Sequence, residues 1–298
     1  MVIKGPRWLR PAVGCLAGGL VAATAVIGPA TPADAAAARS APVYFVHGYN
    51  PGSCGKRWNA DITAFRHWGW KGRLHTVGYY KADKNCSDHI AGHGVGYGTS
   101  INTLGRDLAK YVYKYHSKKH QAVDLVGHSM GGLIVRAALA GVAQHKKGFP
   151  PYLYVTNAVT LETPHQGINR HNWPRCKRKG DVQCRQMNSH YTKYYSFVRH
   201  LAHGPQTRGG TDWSLVGASD DGVVSWKSGV DLNHAARHKY HYLAGQHLSH
   251  SAVREAIGHN HKYRLSYWNA GMSKAKHTKR GWSPVYAAYQ ACVHPRAW

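Results

Sequence analysis

Residues 123–139 read VDLVGHSMGGLIVRAAL, and this stretch decides the fold. AVDLV (122–126), apolar but for Asp124, has the composition of a strand buried on both faces. After GHSMGG a second apolar run begins with a different period, and it reads as a helix from Gly132 to Gln144. Gly127, Ser129 and Gly131 satisfy G-x-S-x-G. Alone that pattern is weak, but a strand before it and a helix after it give it chemical content. A turn this tight forces the serine into an unfavourable backbone region, and only glycines let the neighbouring backbones pass so close. The serine Oγ is thereby lifted clear of the sheet at the positive end of the helix. A glycine-rich corner between two core elements would explain the glycines but not a serine at the tip.

A serine hydroxyl is a poor nucleophile until a base takes its proton, and a third group must orient that base. On a strand–elbow–helix scaffold both partners are expected downstream, acid before histidine. Asp220 and Asp221 follow the strand WSLVG in a DDGVV turn. His247 lies two residues beyond HYLAG (241–245) and is the expected base, with His250 three positions further as the alternative. Because the chain holds 23 histidines, only their placement gives these two weight. The oxyanion formed on attack needs backbone N–H donors already in position. One is expected from Met130 and the other from Tyr49, in the HGYN loop after the first strand. His47 in that loop reads as a brace.

Outward from the elbow, PVYFV (42–46) and residues 74–79 read as strands, and Gly-rich 91–98 as a loop. Ile101, Leu104, Leu108 and Val112 share one helical face, with Ser100 or Thr99 as N-cap. TNAVTLETPHQG supplies a strand ending near Leu161, WSLVGASDDG one ending near Gly217, and Ser251 to Ile257 begins a helix. Strands alternating with helices predict an α/β fold: a mostly parallel sheet covered by helices on both faces, with its reactive loops at the carboxyl ends of the strands. Residues 169–210 are polar, basic and aromatic without clear period, and read as a surface insertion or lid. Residues 258–298 form an extension of unassigned role.

Residues 1–35 combine a basic start (Lys4, Arg7, Arg10), an Ala/Gly/Val-rich stretch and Ala33 and Ala35 at an A-x-A-like site. They read as a cleaved secretory signal, and the remaining roughly 260 residues suffice for one domain. The chain carries 39 basic against 13 acidic residues, a formal charge of +26. That excess favours contact with anionic surfaces or describes a solvated exterior, and no zinc-finger or RNP motif points to nucleic acid. Export makes disulfides permissible. Proximity suggests Cys54–Cys86 and Cys176–Cys184, leaving Cys292 odd. The stretch RCKRKGDVQC (175–184) reads first as a solvated loop, second as a disulfide-pinned lid or a contact for anionic lipid.

VYFVHGYN, VDLVGHSMGGLIVR, LETPHQG, ASDDGVV and the late His247 together resemble the secreted bacterial lipases and esterases of the α/β-hydrolase superfamily. The resemblance covers about residues 42–257 and is most specific at GHSMGG. It starts at the strand before the His-Gly loop, as in compact lipases that lack the first strands of larger relatives. It implies a compact α/β-hydrolase fold and a Ser129–Asp221–His247 triad that cleaves carboxylic esters, lipid acyl esters first, through an acyl-enzyme. Asp220 is the reserve acid. The family's T-P-H-x-G is met by Thr163, Pro164, His165 and Gly167, but Glu162 stands where glycine is usual, which makes Glu162 a further candidate acid or a partner for a basic residue. No cofactor and no metal are implied, and a monomer is expected. The alternatives are the same triad acting on amide, peptide or polyester bonds, and a non-catalytic basic protein that binds a polyanion on a hydrolase scaffold.

Overall fold

Strand β1 (Val43–Val46) buries all four of its side chains, which is possible only if both faces of its sheet are covered. Tyr44 and Val46 point into one apolar cluster, with Leu104, Leu108, Leu125 and Leu133. Val43 and Phe45 point into the other, with Trp58, Phe65, Val159 and Val285. This period-two division around an unbroken apolar strand is the signature of a sheet sandwiched between helix layers. The structure is a computed structural model that describes residues 39–92, 94–258 and 261–294. The signal expected at 1–35 lies outside the described residues.

Among the described residues the strands are β1, β2 (Leu74–Gly78), β3 (Asp88–His89), β4 (Val123–His128), β5 (Val155–Leu161), β6 (Asp212–Ala218), β7 (His238–Tyr242), β8 (Tyr263–Trp268) and β9 (Lys276–Gly281). They form one sheet in the order β3-β2-β1-β4-β5-β6-β7-β8-β9. Pairing is parallel as far as β7 and antiparallel from β7 to β9. The expected mostly parallel α/β architecture is therefore found. From β1 the chain moves outward to β2 and β3, then returns to place β4 on the other flank of β1. That reversal opens a crevice at the carboxyl ends of β1 and β4, where a doubly wound sheet binds its ligands.

Helix α1 (Cys54–His67) follows β1, α2 (Ile101–Tyr115) precedes β4 and α3 (Met130–Ala143) follows it. Of the two cap candidates, Ser100 caps α2, its hydroxyl accepting the Thr103 N–H. Helix α1 was not expected, because its sequence CGKRWNADITAFRH is polar overall. Ser53 caps it, and Trp58, Ala64 and Phe65 form its buried stripe. Within the extension 258–298 lie the β8–β9 pair and helix α4 (Pro284–Val293), which lays Val285, Ala288 and Cys292 against the sheet. Cys54–Cys86 and Cys176–Cys184 are bonded and Cys292 is free and buried. Among the described residues no helix is long and apolar enough to cross a membrane.

Two expectations are corrected. The stretch 251–257 forms only a single 3-10 turn, Ala252–Arg254. Strand β7 ends at Tyr242, where its pairing with both Ala218 and Leu265 stops. It does not continue to Gly245, although the apolar sequence does.

Candidate active site

The elbow between β4 and α3 is built by contact at every atom. Ser129 sits at φ 54°, ψ −128°, a region costly for a residue with a side chain. Its N–H donates to the Leu161 carbonyl at 2.9 Å and its own carbonyl accepts from Gly132 N at 3.1 Å. A side chain at Gly131 would put its Cβ 2.1 Å from the Val46 carbonyl oxygen, so the helix starts hard against the end of β1. Met130 is the first residue of α3, and its N–H is one of the donors a helix leaves without an internal acceptor.

The loop after β1 closes on the same serine. A Cβ added at Gly48 would lie 2.8 Å from Ser129 Cβ, which puts the HGYN backbone, Tyr49 included, beside the nucleophile. Asp83 organises this loop. Its carboxylate accepts the Tyr79 and Tyr80 N–H groups at 2.9 and 2.8 Å, the Gly52 N–H at 3.0 Å and His47 Nε2–H at 2.9 Å. Burial pushes Asp83 up, but His47 and these N–H donors outweigh it and hold its pKa at about 2. His47 Nδ1 lies 2.7 Å from Arg57 Nη1 and 2.8 Å from the Gly48 carbonyl; with the proton of the neutral ring on Nε2, given to Asp83, Nδ1 accepts from Arg57. Burial holds His47 below its ordinary range despite Asp83, in keeping with the neutral ring. The Tyr79 hydroxyl donates to the Gly48 carbonyl at 2.6 Å. His47 thus braces the loop.

On the other side of Ser129 stands His250. Its Nε2 is 2.9 Å from Ser129 Oγ and its Nδ1 is 2.6 Å from Asp221 Oδ2. A carboxylate accepts only, so Nδ1 carries the proton and Nε2 presents a lone pair to the hydroxyl. Asp221 is buried, and its other oxygen accepts from Val223 N and Val224 N at 2.6 and 3.0 Å. Those bonds fix the carboxylate plane that fixes the ring.

The expected base, His247, is corrected to His250 as the histidine that reaches Ser129. His247 lies at φ 58° and is exposed, on the outside of the turn that follows β7. Asp220, the reserve acid, makes that turn: its carboxylate accepts from Gly245 N at 2.8 Å and Gln246 N at 2.7 Å. Burial pushes Asp220 slightly up, yet these N–H groups and those of His247 and Leu248 hold it below the usual range. The adjacent aspartates therefore divide the work, Asp220 holding the turn and Asp221 meeting the ring. His128, in the motif itself, completes the arrangement. Its Nε2–H donates to the His250 carbonyl at 2.6 Å, and burial, reinforced by the positive groups around it, keeps the ring neutral. No sequence signal marked this role beyond its adjacency to Ser129.

Glu162 is fully buried at φ 47°, and burial together with the neighbouring Asp221 charge pushes its carboxyl well above the ordinary range. It backs Asp221 and does not reach His250. His165 is buried with Nε2 3.0 Å from Thr160 Oγ1 and supports the loop from below. The basic stretch 175–184 is only half the solvated loop expected. Arg175 is exposed, but Asp181 and Gln183 are buried because they take hydrogen bonds from the Tyr49 and Tyr80 hydroxyls. These elements enclose a cavity of about 390 Å³ over Ser129, lined among others by Ile168, Met187 and Val223.

A family model described as "Putative serine esterase (DUF676)" matches residues 95–178, from the loop before α2 through the elbow into the basic stretch. No curated protein matches the chain. Among solved structures, a Bacillus licheniformis lipase in its propeptide form is 17% identical, with a TM-score of 0.45 over 73% of this chain and 48% of that one. This chain thus spans about half that lipase's length. A Listeria innocua protein is 13% identical, with a TM-score of 0.46 over 72% and 89% of the two chains. An α/β hydrolase from the sediment metagenome of the Mar Chica lagoon, Morocco, is 17% identical, with a TM-score of 0.44 over 73% and 85%.

Proposed function

We propose that this α/β-hydrolase cleaves carboxylic esters through an acyl-enzyme on Ser129, with His250 as general base and then acid and Asp221 as its orienter. The observation that carries the reading is the continuous pair of hydrogen bonds from Asp221 through His250 to Ser129 Oγ, 2.6 and 2.9 Å. In the forward step Ser129 Oγ bonds to the ester carbonyl carbon while its proton passes to His250 Nε2. The Nδ1–H bond to buried Asp221 stabilises the imidazolium that results. The Tyr49 and Met130 N–H groups are the donors for the oxyanion. Collapse of the tetrahedral intermediate expels the alcohol, which takes the proton from Nε2. Water then attacks the acyl group along the same route and regenerates Ser129.

Esters of lipids are the first substrate class to test, and export through the 1–35 signal fits the two disulfides. A fluorophosphonate probe should label Ser129 in the wild type and not in Ser129→Ala, and that variant should lose ester turnover by roughly four to six powers of ten. Full turnover of 4-nitrophenyl butyrate by Ser129→Ala would end the reading.

A further inference from the structure

The cavity over Ser129 is unusual in its charge. Three arginines line it, Arg57, Arg175 and Arg254, and its lining contains no acidic side chain. Among the described residues none of the three is in an ion pair. Arg254 is the most telling. It is 8% exposed, its Nη1 donates to the Arg57 carbonyl, its guanidinium lies 5.5 Å from the Trp58 ring centroid, and its buried Nε has no acceptor. Arg57 donates to the Asn50 and Pro51 carbonyls at 3.0 and 3.3 Å and to neutral His47. Carbonyl dipoles satisfy the geometry of a guanidinium but leave its charge uncompensated. The acids whose fields reach Arg254 are Asp61 and Glu255; neither is in an ion pair with it among the described residues, and burial pushes Asp61 well above its ordinary range. Burial, with the repulsion of Arg57, draws Arg254 below its ordinary range. Positive charge held in a partly closed, low-dielectric cavity attracts an anion far more strongly than the same charge in bulk water. The apolar side chains that line the site are Ile168, Met187 and Val223.

Resting on the serine-esterase reading above, we infer that the enzyme selects esters that carry a carboxylate or phosphate close to the scissile bond, bound by Arg254 and Arg175 in the cavity over Ser129. The anion compensates charge that the fold leaves unpaired, so it contributes binding where a neutral ester of the same shape gains nothing.

The test begins with fluorophosphonate labelling of wild-type protein. Absent labelling would sink the esterase reading itself, independently of selectivity. With labelling established, two matched pairs are compared by kcat/KM at low salt. 4-Nitrophenyl hydrogen glutarate is set against 4-nitrophenyl butyrate for a carboxylate on the acyl side. Hexanoyl glycerol phosphate is set against monohexanoyl glycerol for a phosphate on the alcohol side. The expected result is a preference of about ten- to a hundredfold for the charged member of one pair or both, and the pair that responds identifies the source of the anion. Equal rates within both pairs would overturn the inference and leave the esterase reading intact. Because net charge alone could favour anions, Arg175→Gln is compared with Lys118→Gln, an exposed change away from the cavity. Arg175→Gln should cut the charged-to-neutral ratio at least threefold and Lys118→Gln should not. Equal effects of the two changes would also overturn it. Arg254→Gln should cut the ratio further where it folds, and exposed Arg175 keeps the test decisive where it does not.

Discussion

The elbow at residues 127–132 and the turn at 243–250 meet at one oxygen atom, yet opposite kinds of force hold them. The elbow is defined by consecutive residues: a strand, a serine at φ 54°, and a glycine where any Cβ would strike β1. The turn has almost no local determinants. It is shaped by Asp220 from just past the end of β6, by burial of Leu248 in the core and by His128 from the elbow, more than a hundred residues away in sequence. A site element fixed by its own neighbours can be read from sequence. One fixed by distant partners takes its shape from the finished fold.

The sharpest way to break this comparison is to exchange the two histidines of the turn. His250→Ala should lower kcat/KM on 4-nitrophenyl butyrate by roughly four to six powers of ten, as Ser129→Ala does, because nucleophile and base act as a unit. His247→Ala should stay within about threefold of wild type, since an exposed substitution removes no contact with the reacting atoms. The reverse ranking would show that the turn refolds when substrate binds and that the ring now outside is the working base.

That pair of histidines also marks where the sequence stops being legible. The strands β1 and β4, the cap at Ser100 or Thr99, both disulfides and the tight elbow at Ser129 were readable because hydrophobic period, capping chemistry and proximity are local. The strand HYLAG looked two residues short of His247 because Leu243 and Ala244 continue the apolar run. The paired register with β6 and β8 ends at Tyr242, and only the finished sheet contains that information. Helix α1 escaped for a related reason: its stripe of Trp58, Ala64 and Phe65 is thin, and the sheet face that receives it makes it stable. The division of labour between Asp220 and Asp221 was equally hidden, since two adjacent carboxylates look alike until one faces a ring and the other a set of N–H groups.

The aspartates therefore supply the next test. Asp221→Asn should cost about 10⁴ in kcat, because an amide in place of the carboxylate lets the ring take the wrong tautomer and no longer stabilises the imidazolium. Asp220→Asn should cost only about tenfold and act on the turn, visible as faster amide exchange at residues 245–248 with Ser129 still open to the fluorophosphonate. Equal losses would mean that the aspartates share the ring and that their separate bonds do not reflect separate roles.

The smallest effect concerns Glu162, which lies behind Asp221 and is neutral when buried. Its folded pKa is raised above the ordinary 4.5 by burial and by the Asp221 charge. For a raised acid the sign runs one way: the folded state holds the proton that the unfolded state gives up. Stability is then fully present below about pH 4.5 and falls by about 1.4 kcal/mol per pH unit until the folded pKa is reached. Glu162→Gln keeps the shape and stays neutral in both states, so it removes that slope. Melting curves of the two proteins should nearly coincide at pH 4.5 and separate steadily as pH rises, with the glutamine form the more stable at pH 8. The difference between the two isolates Glu162 from Asp124, a second buried acid, raised by burial to about 7, because Asp124 is common to both. Parallel curves at every pH would mean that Glu162 is ionised in the folded protein, with a cation compensating it. In that case the charge behind Asp221 would have to be assigned differently.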